Sequence, residues 1–180
     1  MDPTTITKKW VQHFVIAHGL CPFAASPFRQ DRIRYVELES DAEEDLISLL
    51  VQELHRLRDT PADTVETTLI IHPKVLTDFQ AYNQFLSVTD AILEGHSLDG
   101  VIQIASFHPD YRFEGAAPDA VENFVARAPF PMLHLLREDS ISIATDTYPA
   151  IHQIPEANTR KMEEIGLRRL RQAVWKNPPI

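Results

Sequence analysis

The stretch "GVIQIASFHPDY", residues 100–111, decides how this chain is built. A glycine opens it, a run of branched and aromatic apolar residues follows, and the run stops at His108-Pro109. Such a run is expected to be a strand buried on both faces, ended by a proline that cannot continue a hydrogen-bonded ladder. A second run of the same design, "TLIIHP" at 68–73, stops at His72-Pro73. Between them lies a helical stretch with Tyr82, Phe85, Leu86, Thr89 and Ile92 on one face, capped by Thr77 and closed by Gly95. Strand, helix, strand at this spacing is a crossover unit, which favours parallel pairing beneath covering helices.

The flanking segments extend the same pattern. "RIRYVEL" (32–38) alternates and reads as a strand. Residues 40–59 read as an amphipathic helix, with Leu46, Leu50, Leu54 and Leu57 on one stripe and acids in the first turn. Residues 4–19 place Ile6, Trp10, Phe14 and Ala17 at helical spacing, between an Asp2-Pro3 start and a Gly19 stop. "PMLHLLRE" (131–138) is a fourth strand, with Asp139 or Ser140 starting a short helix after it. Residues 155–175 read as helix broken at Gly166, and "KNPPI" (176–180) as a frayed tail. The expected fold class is α/β: a single domain over 1–180, with a small mixed, mostly parallel sheet of about four strands covered by helices. Residues 1–19 form an N-terminal helix packed on the core.

Composition narrows the functional classes. A net charge of −9 argues against a nucleic-acid partner, which needs a basic face. Much of the acid sits in "ELESDAEEDL" (37–46), read as a solvated loop and helix start. No apolar run approaches the ~20 residues of a membrane span, and the first residues lack a signal-peptide pattern. The single cysteine, Cys21, excludes an internal disulfide. A soluble, cytoplasmic chain with no membrane partner is expected, its oligomeric state open.

The candidate chemistry lies where the strands end. Proline pushes the residue before it toward extended geometry, so His72 and His108 should each close a strand. If those strands are parallel, both imidazoles reach the carboxyl edge of the sheet, where open α/β sheets place their ligands. Asp110, Tyr111 and Arg112 follow within reach of His108. The carboxylate would set the tautomer of the imidazole, and the phenol would supply a proton. The plainer alternative makes each His-Pro a strand end and Asp110 a turn residue. The loop from Pro109 to Ala128 is long for a compact domain, as functional loops are.

Alternation puts His134 with Met132 and Leu136 on one face of the fourth strand, and Arg137 with Leu133 and Leu135 on the other. Arg127, beside a Pro-x-Pro stretch, and Arg137 are candidate clamps for a carboxylate or phosphate. His134 is either a ligand or a satisfied core histidine, and Cys21 a site residue or a small buried hydrophobe.

These motifs together resemble a known family. "GLCPFA", "RIRYVELESDA", "TLIIHP", "GVIQIASFHPDYRFEG", "NFVARAPFPMLHLLRED" and "IPEANTRKMEEIG" occur in the order seen in a bacterial family catalogued as domain of unknown function 1415. The resemblance covers nearly the whole chain and implies a fold and a motif set, with no reaction attached. The family tends to read Thr-Asn-Arg-Ser-Pro-Tyr-Pro where this chain has Val125, Ala126, Arg127, Ala128, Pro129, Phe130 and Pro131. A role that needed those hydroxyls is in question here, whereas roles for His108, His134 and Arg137 are not.

Three functional readings follow. The first is an enzyme acting on a small anionic molecule, with His108, Asp110, Tyr111 and His72 in acid–base roles. In it Arg127, Arg137, His134 and Cys21 line the substrate site. The second is a zinc-like metal site using His72, His108 and His134, completed by Asp110 or Cys21. The third is a non-catalytic binding or interaction module, told from the others by a flat surface in place of a concave site. No cofactor is specified by any motif.

Overall fold

The structure, a computed structural model, describes residues 1–148 and 150–172. The expected tail at 176–180 and the last residues of the C-terminal helical stretch, 173–175, lie outside the described residues. Helix α1 (Pro3–Trp10) starts where the Asp2 carboxylate accepts from the Thr5 N–H at 2.9 Å. It runs on into a π-helical turn, Val11–Ile16, whose wider winding turns Trp10, Val11 and Phe14 all inward. A short helix that the residue pattern did not announce, α2 (Ala25–Arg29), precedes strand β1 (Ile33–Glu37).

Helix α3 (Glu43–Asp59) leads to β2 (Thr67–Ile71), and α4 (Phe79–Gly95) to β3 (Ile102–Phe107). Strand β4 (Met132–Arg137) passes directly into α5 (Glu138–Thr147). Gly166, at φ 80°, then separates α6 (Ile154–Ile165) from α7 (Leu167–Arg171). The cap of α4 is Asp78, whose carboxylate accepts from the Ala81 N–H at 2.9 Å, and Thr77 lies one residue outside. Among the described residues no helix is long and apolar enough to cross a membrane.

The α/β class and the small four-stranded mixed sheet stand as expected, but the pairing needs correction. Strand order is β1-β2-β4-β3; only β1 and β2 pair in parallel, and β4 runs antiparallel to both its neighbours. The reason is the connection. Helices α3 and α4 carry the chain back, so β1, β2 and β3 all point the same way. No long helix lies between β3 and β4, so the chain re-enters at the edge it has just left and must run the other way. It fills the gap left between β2 and β3. Strand β3 is therefore an edge strand, and its Gln103 is exposed, contrary to a strand buried on both faces.

Helices cover both faces. Leu46, Leu50, Leu54 and Leu57 of α3 are fully buried, and with Tyr82 and Phe85 of α4 they pack on Ile70, Leu133 and Leu135. On the other face Trp10, Phe14, Phe124, Met162 and Leu170 pack on Leu69, Ile71 and Met132. The odd–even alternation along β2 and β4 sorts these two sets, and it also sorts the histidines.

Candidate functional site

Because β2 and β3 share a direction, His72 and His108 emerge at one edge of the sheet, and alternation turns both toward α4. Both are fully buried. The Tyr82 ring of α4 lies between them, stacked on His72 at 5.9 Å and tilted against His108 at 5.1 Å between ring centroids. Its hydroxyl donates to the Met132 carbonyl at 2.7 Å and accepts from the Phe107 N–H at 3.1 Å. Tyr82 thus fastens β3 to β4 where the two strands part.

Hydrogen bonds fix what each imidazole can do. His72 Nδ1–H donates to the Val75 carbonyl at 2.9 Å, and its Nε2 is buried with no partner among the described residues. His108 Nε2–H donates to the Leu76 carbonyl at 3.2 Å, while its Nδ1 accepts from the backbone N–H of Asp110 at 3.0 Å. The two rings therefore hold consecutive carbonyls of one turn. Leu76 sits there at φ 54°, a left-handed conformation that costs a residue with a side chain about 1–2 kcal/mol. Burial drives the His72 pKa down to about 4, against the opposing bond to Val75. Burial also lowers that of His108, partly offset by its bond to Leu76 and by the Asp110 charge. It is the Asp110 backbone, rather than its carboxylate, that bonds the His108 ring.

An open cavity of about 280 Å³ adjoins this floor, lined by Phe79, Asp110, Arg112, Pro118, Asp119 and Arg127. Phe79 separates it from the interior, with His108 behind at 5.4 Å and Tyr111 at 5.3 Å between ring centroids. The loop above is held by Asn123, which accepts from the Phe113 N–H at 3.0 Å and donates to the Ala117 carbonyl at 2.8 Å. Arg127 is only 7% exposed. Its guanidinium stacks over Phe124 at 4.4 Å, and Nε–H and Nη2–H donate to the Tyr111 and Pro118 carbonyls at 3.1 and 2.8 Å. Among the described residues Arg127 has no ion pair and its Nη1 no hydrogen bond, although the Asp110 and Asp119 charges lie near enough to act on it. Burial pulls its pKa below the ordinary arginine value. Arg112 is exposed and unpaired among the described residues, whereas Asp119 is held by Arg171 at 2.6 Å.

The family model described as "Protein of unknown function (DUF1415)" matches residues 2–172. This chain belongs to that family. No curated protein and no solved structure matches it.

In this DUF1415 chain the sheet disperses several of the expected site residues. His134 lies on the opposite face from His72 and His108, because register pairs it with Leu69 and Ala105. Its Nε2–H donates to Thr67 Oγ1 at 2.7 Å, and Thr67 in turn donates to the Leu135 carbonyl at 2.5 Å. Burial alone brings the His134 pKa to about 4. The three-histidine metal set is therefore not assembled, and among the described residues no three metal-ligating side chains converge.

Arg137 ends β4 at the far edge of the sheet, where it donates to the Thr60 and Val65 carbonyls at 2.5 and 2.8 Å. It cannot share a ligand with Arg127. Cys21 is half-buried ahead of α2, next to Leu20, whose carbonyl accepts from Asn158 of α6 at 2.9 Å. That neighbourhood belongs to the second face, and burial pushes its thiol pKa up. Phe79, Pro118 and Asp119 join the cleft without having stood out in the sequence. A carboxylate cap followed directly by an aromatic, at the end of a strand-to-helix turn, was the one available sign of Phe79.

Proposed function

We propose that this chain binds a small anion, of the size of a phosphate monoester or a dicarboxylate, in the cleft between Phe79, Arg112 and Arg127. The observation that carries the reading is Arg127: a buried guanidinium, fixed at two donors by backbone carbonyls, with Nη1 unbonded and no ion-paired carboxylate among the described residues. A buried guanidinium with no ion pair is costly, and although the Asp110 and Asp119 charges act on it from the cleft lining, a ligand anion in direct contact relieves it further. Arg112 adds a second cation on the rim, which favours a doubly charged ligand over a single carboxylate. The concave shape favours a small molecule over a flat partner surface, and net charge −9 opposes nucleic acid or an anionic membrane. A single cysteine is consistent with a cytoplasmic location.

Acid–base catalysis by His108, with Asp110, Tyr111 and His72, has weaker support, because the ring is buried and both its nitrogens bond to backbone. On this reading the histidines are the rigid floor that sets Phe79 and the Arg127 loop.

The test is a thermal melt against phosphate, phosphomonoesters and dicarboxylates. A ligand at 100 times its Kd stabilises by about 2.7 kcal/mol, which raises Tm by about 5–10 °C for a chain of this size. Arg112→Ala, at an exposed position, should keep the fold and cut the shift, and Arg127→Lys should abolish it. If no anion moves Tm, or the shift survives in both variants, the reading fails.

A further inference from the structure

Away from the cleft, two histidines meet at the other end of the same helical layer. His55 lies near the end of α3 and His96 caps the end of α4. Both helices run back from the carboxyl edge of the sheet, so their C-termini finish side by side at its amino edge. There His55 Nε2 and His96 Nδ1 share a hydrogen bond at 3.0 Å, with ring planes at 78°, and an ion held by both rings would replace that shared proton. Both side chains reach solvent.

We propose that His55 and His96 form a two-imidazole site for a divalent late transition-metal ion of copper(II) or nickel(II) type. The nitrogen separation fits. Two imidazoles at about 2.0–2.1 Å from one ion, at right angles, put their nitrogens about 2.9 Å apart. Either ring presents the required lone pair once its proton resides on the other nitrogen. The surroundings suit a cation: both helix C-termini carry partial negative charge at this point. The nearest cations on α3 are occupied, Arg56 with Glu53 at 3.4 Å and Arg58 with Asp59 at 2.7 Å. Asp59, one turn beyond His55, is taken up by Arg58, so the positions beyond the two imidazoles fall to water. Bound metal would clip α3 to α4 without touching the anion cleft, so the two sites load independently.

The experiment is a copper(II) titration of protein carrying no affinity tag, followed by calorimetry against a glycine competitor and by electron paramagnetic resonance. The proposal expects one site with two nitrogen ligands, and at least a tenfold loss of affinity in each of His55→Gln and His96→Gln. Both positions reach solvent, so melts should match the parent without metal, and added copper should raise Tm in the parent alone. A spectrum with one nitrogen ligand, or affinity unchanged in either variant, overturns it. So does copper binding retained by the double variant.

Discussion

Acid should unfold this protein through its buried histidines. The His72 pKa falls from an ordinary 6.5 to about 4 because the ring is enclosed and its Nε2 has no acceptor for a second proton. A group with a lower folded than unfolded pKa, and charged when protonated, binds more protons in the unfolded chain. Its stabilising contribution is therefore complete above about pH 6.5–7 and is lost as pH falls toward 4. For a fully buried histidine with this shift the loss between pH 7 and pH 5 is about 2 kcal/mol, rising to about 3 kcal/mol by pH 4. His134, also near 4, acts in the same direction, somewhat below that ceiling because its residue is partly exposed. His108 adds to it, since its pKa is also lowered.

Against a typical total of about 5–15 kcal/mol, such a loss brings a domain near its unfolding midpoint at mild acidity. Urea unfolding followed by circular dichroism at pH 8, 7, 6 and 5 measures it, alongside His72→Gln. The wild type should lose about 3–4 kcal/mol between pH 7 and 5, and the variant, though less stable at pH 8, should lose about 2 kcal/mol less over that span. Nitrogen chemical shifts should report His72 protonated on Nδ1 and His108 and His134 on Nε2. A wild-type stability that is flat from pH 7 to 5, or an unchanged slope in the variant, would refute the reasoning.

Tyr82→Phe keeps the ring between the two histidines but leaves the Phe107 N–H and the Met132 carbonyl without their partner, so it should cost about 2–4 kcal/mol in urea unfolding. Arg137→Met frees the Thr60 and Val65 carbonyls at the far edge. It should lower stability by about 1–3 kcal/mol while leaving the anion-induced Tm shift intact, which separates the two arginines by function.

Much of the fold is legible along the chain. The heptad-like leucines of α3, the alternating β1 and the two apolar runs ending in His-Pro each encode their element within a dozen residues, since periodicity against a hydrophobic core is a local property. The shared edge of His72 and His108 follows too, because a helix between two strands returns the chain to its start and makes them point the same way. Two helix details differ from the sequence reading: the expected helix over 4–19 winds as a π-helix at Val11–Ile16, and α4 is capped by Asp78, one residue past Thr77. Both depend on which of several adjacent donors and acceptors the backbone actually reaches.

The candidate site was legible only in part, and β4 is the reason. Arg127 and Arg137 stand ten positions apart on the chain and look equivalent as anion clamps. Once β4 is laid between β2 and β3, the strand itself separates them, one at the cleft and one at the opposite edge. The same register sends His134 to the face away from His72 and His108, and dissolves the three-histidine site. The strands and the long helices, their order and the edge that carries two histidines were determined by the sequence alone, whereas the short α2 was not. Where β4 inserts, which residues share a face and which arginine is left buried with no ion pair among the described residues were decided by long-range pairing, because strand register is set by contacts between segments that local patterns do not encode.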